Sequence, residues 1–141
     1  QNEQSQLAIP LIKSGNQFLA QVSIADKQGY DETRLTLLLD TGATYTSLKK
    51  EVVKQILAQS NSLTLKPQVV KVNTANGTTT ARVLQADALT LGHARLTDTP
   101  ILEIDMGQNS RADGLLGMNF LGQYQFEIDQ ENGLLYLLPL N

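Results

Sequence analysis

The chain has 141 residues, of which 41% are hydrophobic and 18% charged, values typical of one folded domain with its own core. Its net charge is -3 and its 11 Lys and Arg residues are dispersed, which argues against a nucleic acid partner. The absence of cysteine excludes disulfides and thiol catalysis. A single histidine, His93, argues against a Ser-His-Asp triad or a multi-histidine metal site. We therefore expect no metal and no other cofactor.

The N-terminal segment, residues 1–6, is polar, and we expect it to form a disordered tail on a single domain that spans residues 1–141. No run of residues reaches the roughly 18 apolar side chains of a membrane-spanning helix. The chain begins at Gln1 without a signal peptide, which is typical of a processed or trimmed chain whose targeting or anchoring segment has been removed.

The first part of the chain shows the two-residue periodicity of β-strands. Leu7 to Ile12 predicts a short strand, and alternating apolar residues from Phe18 to Ile24 predict a half-buried one. A polar loop over residues 26–34 then leads into the apolar run Leu35–Leu39. The two longer strands are therefore expected to form a hairpin.

Helical spacing replaces this pattern after Gly42. Apolar residues three and four positions apart predict a helix, with Thr46 or Ser47 as its N-cap and an end at Ser60–Ser62. The apolar positions of this helix are Leu48, Val52, Val53, Ile56 and Leu57.

The middle of the chain predicts a polar hairpin. Val69–Val72 is a strand candidate, and Asn76-Gly77 predicts a tight turn, because both central residues of a type I′ turn need positive φ. A second strand begins at Ala81 and ends before a turn at Gly92 and His93, and Ile101–Ile104 predicts another strand.

The last third contains a loop, a glycine-rich segment and a hairpin. In the segment Gly114–Gly122 the glycines predict close backbone approach followed by a short helical turn, and Asp113 before it is interpreted as a solvated turn residue. Tyr124–Ile128 and Leu134–Leu138 predict the final hairpin. Many short strands with frequent turn signals indicate a mainly β domain, built as a barrel or a folded sheet.

Asp40 is the residue that calls for explanation, because it ends the apolar run Leu35–Leu39 and is followed by Thr41-Gly42-Ala43. An ionised carboxylate is costly to bury unless it is paired, hydrogen-bonded or shifted in pKa. Asp40 could be structural, closing the strand through an Asx turn with Thr41 and Gly42. The alternative is that it carries chemistry.

Three segments in this order resemble the retropepsin-like aspartic proteases: Leu38-Leu39-Asp40-Thr41-Gly42-Ala43, the Asn76-Gly77 hairpin, and Leu115-Leu116-Gly117. The resemblance covers Phe18 to Leu138 and is closest to bacterial and other cellular members of the family. It implies a single-lobe acid protease fold, a folded sheet or barrel with a flap hairpin and one or two short helices.

The resemblance implies an aspartic endopeptidase that is active as a homodimer and hydrolyses a peptide or protein substrate. Asp40 and its symmetry mate would activate a water molecule. Two neighbouring carboxylates cannot both ionise, so the pair shares one proton, and each carboxyl group takes a different role. No second carboxylate ends a buried apolar run in this sequence, so the mechanism requires a symmetric dimer.

Further roles follow from the same resemblance. Thr41 would hydrogen-bond across the dimer axis, Gly42 would let the two loops approach, and Ala43 would line the site. The terminal segments Leu7–Ile12 and Leu134–Leu138 are candidates for a sheet between the two copies. Support for the Asp40 loop is expected from Leu115, Leu116 and Gly117, and a flap that closes over the substrate from Thr74, Ala75, Asn76, Gly77 and Thr78.

Two departures from the family pattern leave an alternative open. Met118-Asn119 stands where viral members usually carry an arginine, and the flap is polar where viral flaps are apolar and glycine-rich. These departures suit a retropepsin-like domain used for binding or dimerisation, with weak or no hydrolysis. An unrelated small β-barrel binding module is a third interpretation. Because bacterial members are often membrane-anchored with a soluble catalytic domain, we expect the cell envelope or periplasm rather than the cytoplasm.

Overall fold

The computed structural model describes residues 7–74, 77–106 and 111–140, and within them the protein is mainly β. The predicted tail, residues 1–6, lies outside the described residues. Strands dominate and two short helices are present, which confirms the expected fold class. In chain order the elements are β1 (Ala8–Pro10), β2 (Ile12–Ser14), β3 (Gln17–Ala25), β4 (Glu32–Leu39), β5 (Thr46–Lys49), α1 (Lys50–Gln59), β6 (Leu63–Thr74), β7 (Gly77–Leu91), β8 (Ala94–Ile104), β9 (Gly114–Leu116), α2 (Met118–Leu121), β10 (Tyr124–Asp129) and β11 (Leu134–Pro139).

Eight of the strands form one sheet in the order β2-β3-β4-β9-β5-β8-β7-β6, and a further pairing of β3 with β7 folds this sheet back on itself. The predicted hairpin is confirmed, since β3 and β4 pair antiparallel with Leu19 opposite Leu38 and Ala25 opposite Glu32. β1, β11 and β10 form a separate antiparallel sheet, and Gly133 turns the chain between β10 and β11 with φ +64°.

Strand β9 is the centre of the arrangement that positions the candidate site. It runs parallel to β4, with Leu39 opposite Leu116, and antiparallel to β5 on its other side. A Cβ atom at Gly114 would overlap the backbone of Ser47, so only glycine lets β9 fit between its neighbours. The close backbone approach expected from the glycines of this segment is confirmed.

The core fills the folded sheet and is covered by α1. Val52, Val53 and Ile56 of this helix are buried, whereas Leu57, which the helical spacing also assigned to the apolar face, is 38% exposed. Burial of one such large apolar side chain stabilises the fold by about 1.5–3 kcal/mol. The largest fully buried side chains are Phe120, Ile24, Leu37, Leu48, Leu84, Leu89, Leu91, Ile101, Leu116, Leu121, Leu135 and Leu137.

Helix α1 begins later than the sequence predicts. Thr46 and Ser47, expected as N-caps, are buried in β5, and the N-cap position is Lys49, which makes no side-chain capping hydrogen bond. The prediction is wrong because β8 and β9 pair with β5 on both sides and hold it extended. The predicted helix end is confirmed, since Ser60 N–H donates to the Ile56 carbonyl at 2.9 Å.

The β6–β7 hairpin is longer than predicted and is irregular in the middle. Leu65 lies opposite Leu84 and Val69 lies opposite Arg82, so Lys66–Gln68 bulges out of β6 at this point. The middle residue of the bulge is a proline, which has no N–H to donate to a ladder and is therefore placed at edges and bulges of sheets.

Asp113 is not the solvated turn residue that the sequence suggested. It is half-buried, and its Oδ2 accepts a hydrogen bond from Thr36 N–H at 2.9 Å, while its own N–H donates to the Thr36 carbonyl at 2.7 Å. The Asp113 carbonyl accepts from Lys49 N–H at 2.9 Å. One residue thus joins the start of β9 to β4 and to the end of β5.

Arg82 on β7 and Glu103 on β8 form an ion pair across the two strands. Arg82 Nε donates to Glu103 Oε1 and Arg82 Nη2 to Oε2, each at 2.8 Å. Glu103 is only 9% exposed. Hydrogen bonding from Arg82 holds the pKa of Glu103 below its ordinary value against the opposing effect of burial, and the charge of Lys50 adds to the lowering.

The lowered pKa of Glu103 predicts a pH-dependent contribution to stability. A carboxylate whose pKa is lower in the folded than in the unfolded state stabilises the fold above the unfolded-state pKa, and this stabilisation is lost as the pH falls through the folded-state pKa. Glu103→Gln should therefore lower the free energy of unfolding at about pH 7, and the difference from wild type should shrink towards about pH 3.

Urea unfolding at the two pH values measures this difference, with Glu127→Gln, at an exposed position of β10, as the control. An equal loss of stability at both pH values would contradict the proposed contribution of the ionised carboxylate.

Candidate active site

The loop after β4 holds the Asp40 carboxylate in a tight turn. Asp40 N–H donates to the Leu116 carbonyl at 3.0 Å, and Ala43 N–H donates to the Asp40 carbonyl at 3.2 Å. Gly42 N–H donates to Asp40 Oδ1 at 3.0 Å, which is the Asx-turn geometry of the structural interpretation. The carboxylate is half-buried rather than enclosed, so the turn orients it towards solvent.

The beginning of α2 supports this loop from behind. The first N–H groups of a helix have no partner within the helix. Here Met118 N–H donates to the Ala43 carbonyl at 2.8 Å, and Asn119 N–H donates to the Thr44 carbonyl at 3.0 Å. A Cβ atom at Gly117 would overlap the backbone of Tyr45, so the loop and the start of α2 are in direct backbone contact.

Asn119 and Thr46 form a partly buried hydrogen-bond network below the loop. Thr46 N–H and Thr46 Oγ1 both donate to Asn119 Oδ1 at 2.8 Å. Thr46 Oγ1 also accepts from Gly117 N–H at 3.1 Å, and Asn119 Nδ2 donates to the Pro100 carbonyl at 2.8 Å. The network ties α2, β5, β8 and the end of β9 together, so the loop is held by groups of its own chain.

Asp40 lies in a cleft of about 600 Å³, the largest of the three clefts described within residues 7–74, 77–106 and 111–140. One wall is the Asp40 loop, the second is β6, and the third is the end of β8 with β9. The cleft is lined by Asp40, Gly42, Ala43, Thr44, Tyr45, Ser47, Val70, Lys71, Val72, Asn73, Leu102, Ile104, Asp105 and Leu115.

The structure separates the loop residues named from the sequence into two groups. Gly42, Ala43 and Leu115 lie in the cleft wall with Asp40, and Thr41 is exposed. Leu116 and Gly117 are buried behind the loop, where they support it.

The predicted flap corresponds to the end of the β6–β7 hairpin. Thr74 pairs with Gly77, which has φ +112°, and Thr78 Oγ1 donates to Asn73 Oδ1 at 3.2 Å. Ala75 and Asn76, the other two flap residues named from the sequence, lie outside the described residues.

Sequence reasoning missed most of the apolar cleft wall and the Asn119 network. Val70 and Val72 share one face of β6, and Leu102 and Ile104 share one face of β8. Their two-residue spacing predicts that each pair shares one face of its strand. It does not predict that the two faces lie together at the Asp40 cleft. Asn119 was identified only as a departure from the viral pattern, and nothing local pointed to its partner Thr46.

Other chemistry-bearing residues do not extend the site. Asp105 also lines the cleft but is exposed and lies outside the Asp40 loop. His93 Nε2 is hydrogen-bonded to the Leu137 carbonyl at 2.9 Å, a structural contact between the β7–β8 turn and β11. Over the described ranges, no three His, Asp or Glu side chains are grouped as a metal site would need. Neither described helix is long and apolar enough to cross a membrane.

The Thr46–Asn119 network predicts that the same substitution has different effects at two buried threonines. Thr46 and Thr99 are both buried, but Thr46 Oγ1 has two hydrogen bonds, whereas Thr99 Oγ1 has no partner among the described residues. Thr46→Val should lower the free energy of unfolding by about 1–3 kcal/mol, because the buried Gly117 N–H group loses its acceptor and Asn119 Oδ1 loses one of its two donors. Thr99→Val should leave it unchanged or raise it by about 1 kcal/mol.

Chemical unfolding of the two variants beside wild type measures both values. Equal losses in the two variants would contradict the role given to the Thr46 hydroxyl.

Comparisons with known proteins agree with this geometry. The family model for aspartyl proteases matches residues 20–120, a range that includes the Asp40 loop, the β6–β7 hairpin and β9. Among solved structures, the chain is similar to a retropepsin-like aspartic protease from Rickettsia conorii, with a TM-score of 0.58 and 21% sequence identity over 92% of this chain and 88% of that chain. No curated protein sequence gives a significant match. The chain belongs to the aspartyl protease family and has a retropepsin-like fold.

Proposed function

We propose that the protein is an aspartic endopeptidase that is active as a homodimer, with Asp40 and the partner subunit's Asp40 as its catalytic pair. The observation that carries the proposal is the position of Asp40. Its carboxylate is held by the Gly42 N–H group in the largest described cleft, on a loop fixed by β9 and α2. Membership of the aspartyl protease family supports the same reaction.

The chemistry of the pair follows from two carboxyl groups sharing one proton. The ionised group takes a proton from a water molecule, which attacks the carbonyl carbon of the peptide bond, while the protonated group donates a hydrogen bond to the carbonyl oxygen. The tetrahedral intermediate then collapses, its carbon–nitrogen bond breaks, and a proton from the pair passes to the leaving amine. The products are a carboxylic acid and an amine, and no cofactor is needed.

The surroundings of Asp40 leave room for a second copy of the chain. Its loop presents an exposed Thr41, and a Cβ atom at Gly42 would meet only Asp40 Oδ1, at 3.4 Å. The outer face of the loop is therefore open to a symmetric contact, which would bring two Asp40 side chains together about one axis.

An extended peptide is the substrate that suits the cleft. β6 is the terminal strand in the order of the large sheet, and Val70–Asn73 of this strand lines the cleft opposite the Asp40 loop. The free edge of a strand can pair main chain to main chain with an extended peptide. We propose that the β6–β7 hairpin acts as the flap over such a peptide.

A binding or dimerisation domain without hydrolysis is the second candidate, and the polar hairpin favours it. Gly77 and Thr78–Thr80 are exposed at the hairpin end, which offers little apolar surface to a substrate. The missing arginine argues less strongly for this candidate, because the Asn119 network holds the loop within the chain.

Asp40→Asn separates the two candidates. Asparagine keeps the shape of the side chain and its acceptor for Gly42 N–H but cannot share the proton, so peptide hydrolysis should fall by at least about 100-fold. The measurement is cleavage of an unfolded protein or a peptide library at about pH 4–6, with sedimentation of both proteins.

Cleavage by Asp40→Asn at the wild-type rate would contradict the assignment of Asp40. A dimeric wild type that cleaves nothing would favour the binding domain instead.

Gly42→Ala tests the dimer contact separately from the fold. Its Cβ has room within the chain, so the variant should keep the wild-type circular dichroism spectrum while its dimer dissociation constant rises at least about tenfold. Gly117→Ala is the matched control for damage to the fold, because its Cβ would overlap the backbone of Tyr45. This variant should lower the free energy of unfolding by about 2 kcal/mol or more. Sedimentation and urea unfolding measure the two effects, and a Gly42→Ala variant that dimerises like wild type would contradict the contact.

A further inference from the structure

The β6–β7 hairpin consists of two parts separated by the bulge. Leu63–Leu65 pairs with β7 close to the core, and Val69–Thr74 pairs with Gly77–Arg82 farther out. The three residues Lys66–Gln68 face only Val83, so the ladder of hydrogen bonds is interrupted there. We call residues 69–74 and 77–82 the outer hairpin. An interrupted ladder is a point at which this part can change its angle to the sheet.

The outer hairpin also has no strand pairing with β8, because β7 pairs with β8 only from Val83 onward. The last pair between β7 and β8 is Val83 with Leu102. β7 also pairs with β3, but near its other end, around Leu89. Within the described ranges, the strand pairings of Val69–Thr74 and Gly77–Arg82 are therefore with each other and not with β8 or β3. β8 itself continues to Ile104 and pairs there with β5.

One ion pair joins the outer hairpin to the sheet at the place where the strands separate. Arg82 is the last residue of the outer hairpin on β7, and its two hydrogen bonds to Glu103 are each 2.8 Å long. Glu103 lies opposite Leu48 of β5 and is 9% exposed, so the acceptor belongs to the firmly packed part of the protein. Two-point contacts between arginine and a carboxylate fix direction as well as distance.

The pair lies away from the cleft. Leu102 and Ile104 line the cleft, and Glu103 between them points to the opposite face of β8, because side chains alternate along a strand. Arg82 is absent from the cleft lining, whereas Val70–Asn73 of the outer hairpin belong to it. Any effect of the pair on a bound substrate is therefore transmitted by the position of the outer hairpin.

We propose that Arg82 and Glu103 are positioning residues that hold the outer hairpin over the Asp40 cleft and so set the fraction of molecules ready to bind substrate. The inference rests on the proposed endopeptidase function and names a part of its substrate site. If only a fraction of the molecules has the hairpin in place, the apparent affinity for substrate falls by that fraction, whereas the bound complex reacts as before.

The test uses the whole 141-residue chain with Glu103→Gln and Arg82→Lys, each of which keeps hydrogen-bonding capacity but loses the two-point ionic contact. KM should rise about threefold to tenfold, and kcat should change by less than about twofold. Hydrogen exchange of backbone amides in residues 69–74 and 77–82 should become faster by a larger factor than that in β3, whose amides follow only the loss of global stability. Arg95→Gln, an arginine of β8 that binds the Lys27 carbonyl elsewhere, is the control.

The exchanged pair Arg82→Glu with Glu103→Arg should restore slow exchange in residues 69–74 and 77–82 and lower KM towards the wild-type value. Unchanged exchange and unchanged KM in both single variants would overturn the inference. Equally faster exchange throughout the chain would also overturn it, since it would mean that the pair serves only global stability. If the wild type cleaves nothing, the proposed function fails, and the exchange rates alone then decide whether the pair holds the hairpin.

Discussion

The structure depends on the insertion of β9 between β4 and β5. This three-residue strand accepts the Asp40 N–H group at Leu116 and brings the start of α2 against the Asp40 loop. The insertion is possible only because Gly114 and Gly117 lack side chains at the two places where backbones touch. A sheet segment far away in sequence thus gives the loop a fixed shape, and the carboxylate gains its direction from that shape.

The same arrangement explains how a polar site persists next to a dense core. Leu37 and Leu116 are fully buried directly before the loop and behind it, whereas Asp40 is half-buried at the cleft. The first N–H groups of α2 donate to carbonyl groups of the Asp40 loop, and Thr46 donates to the Asn119 side chain. Without these hydrogen bonds, polar groups next to the core would have no partner. The loop is therefore held by hydrogen bonds of its own chain, and we propose that the hairpin on the other side of the cleft is the adjustable part.

Much of the fold could be predicted from local patterns. Alternation identified β3, Gly92 identified the turn between β7 and β8, and the apolar run before Asp40 identified β4. The errors arose where a partner distant in sequence decides the conformation. The local sequence around Thr46 is typical of a helix cap, but its hydroxyl donates to Asn119, 73 residues away. The local sequence around Asp113 is typical of a turn, but its carboxylate accepts from Thr36, 77 residues away.

The site was predicted in the same uneven way. Asp40 and the β9 segment could be named from the sequence because the motif residues carry their own signal, whereas the Val70 and Leu102 walls depend on how two strands fold over the loop. The bulge at Lys66–Gln68 was not predicted, although the proline at its middle is a local signal for a bulge or an edge position.

The central claim is that Asp40 functions only opposite a second Asp40, and a mixing experiment tests it most directly. Wild type and Asp40→Asn are unfolded together in equal amounts, refolded to the same total concentration and assayed for peptide cleavage. If both carboxylates are required, about one quarter of the dimers contain two of them, and the activity is about one quarter of that of wild type alone refolded to the same total concentration. An activity of about one half would mean that each chain acts alone and would contradict the account.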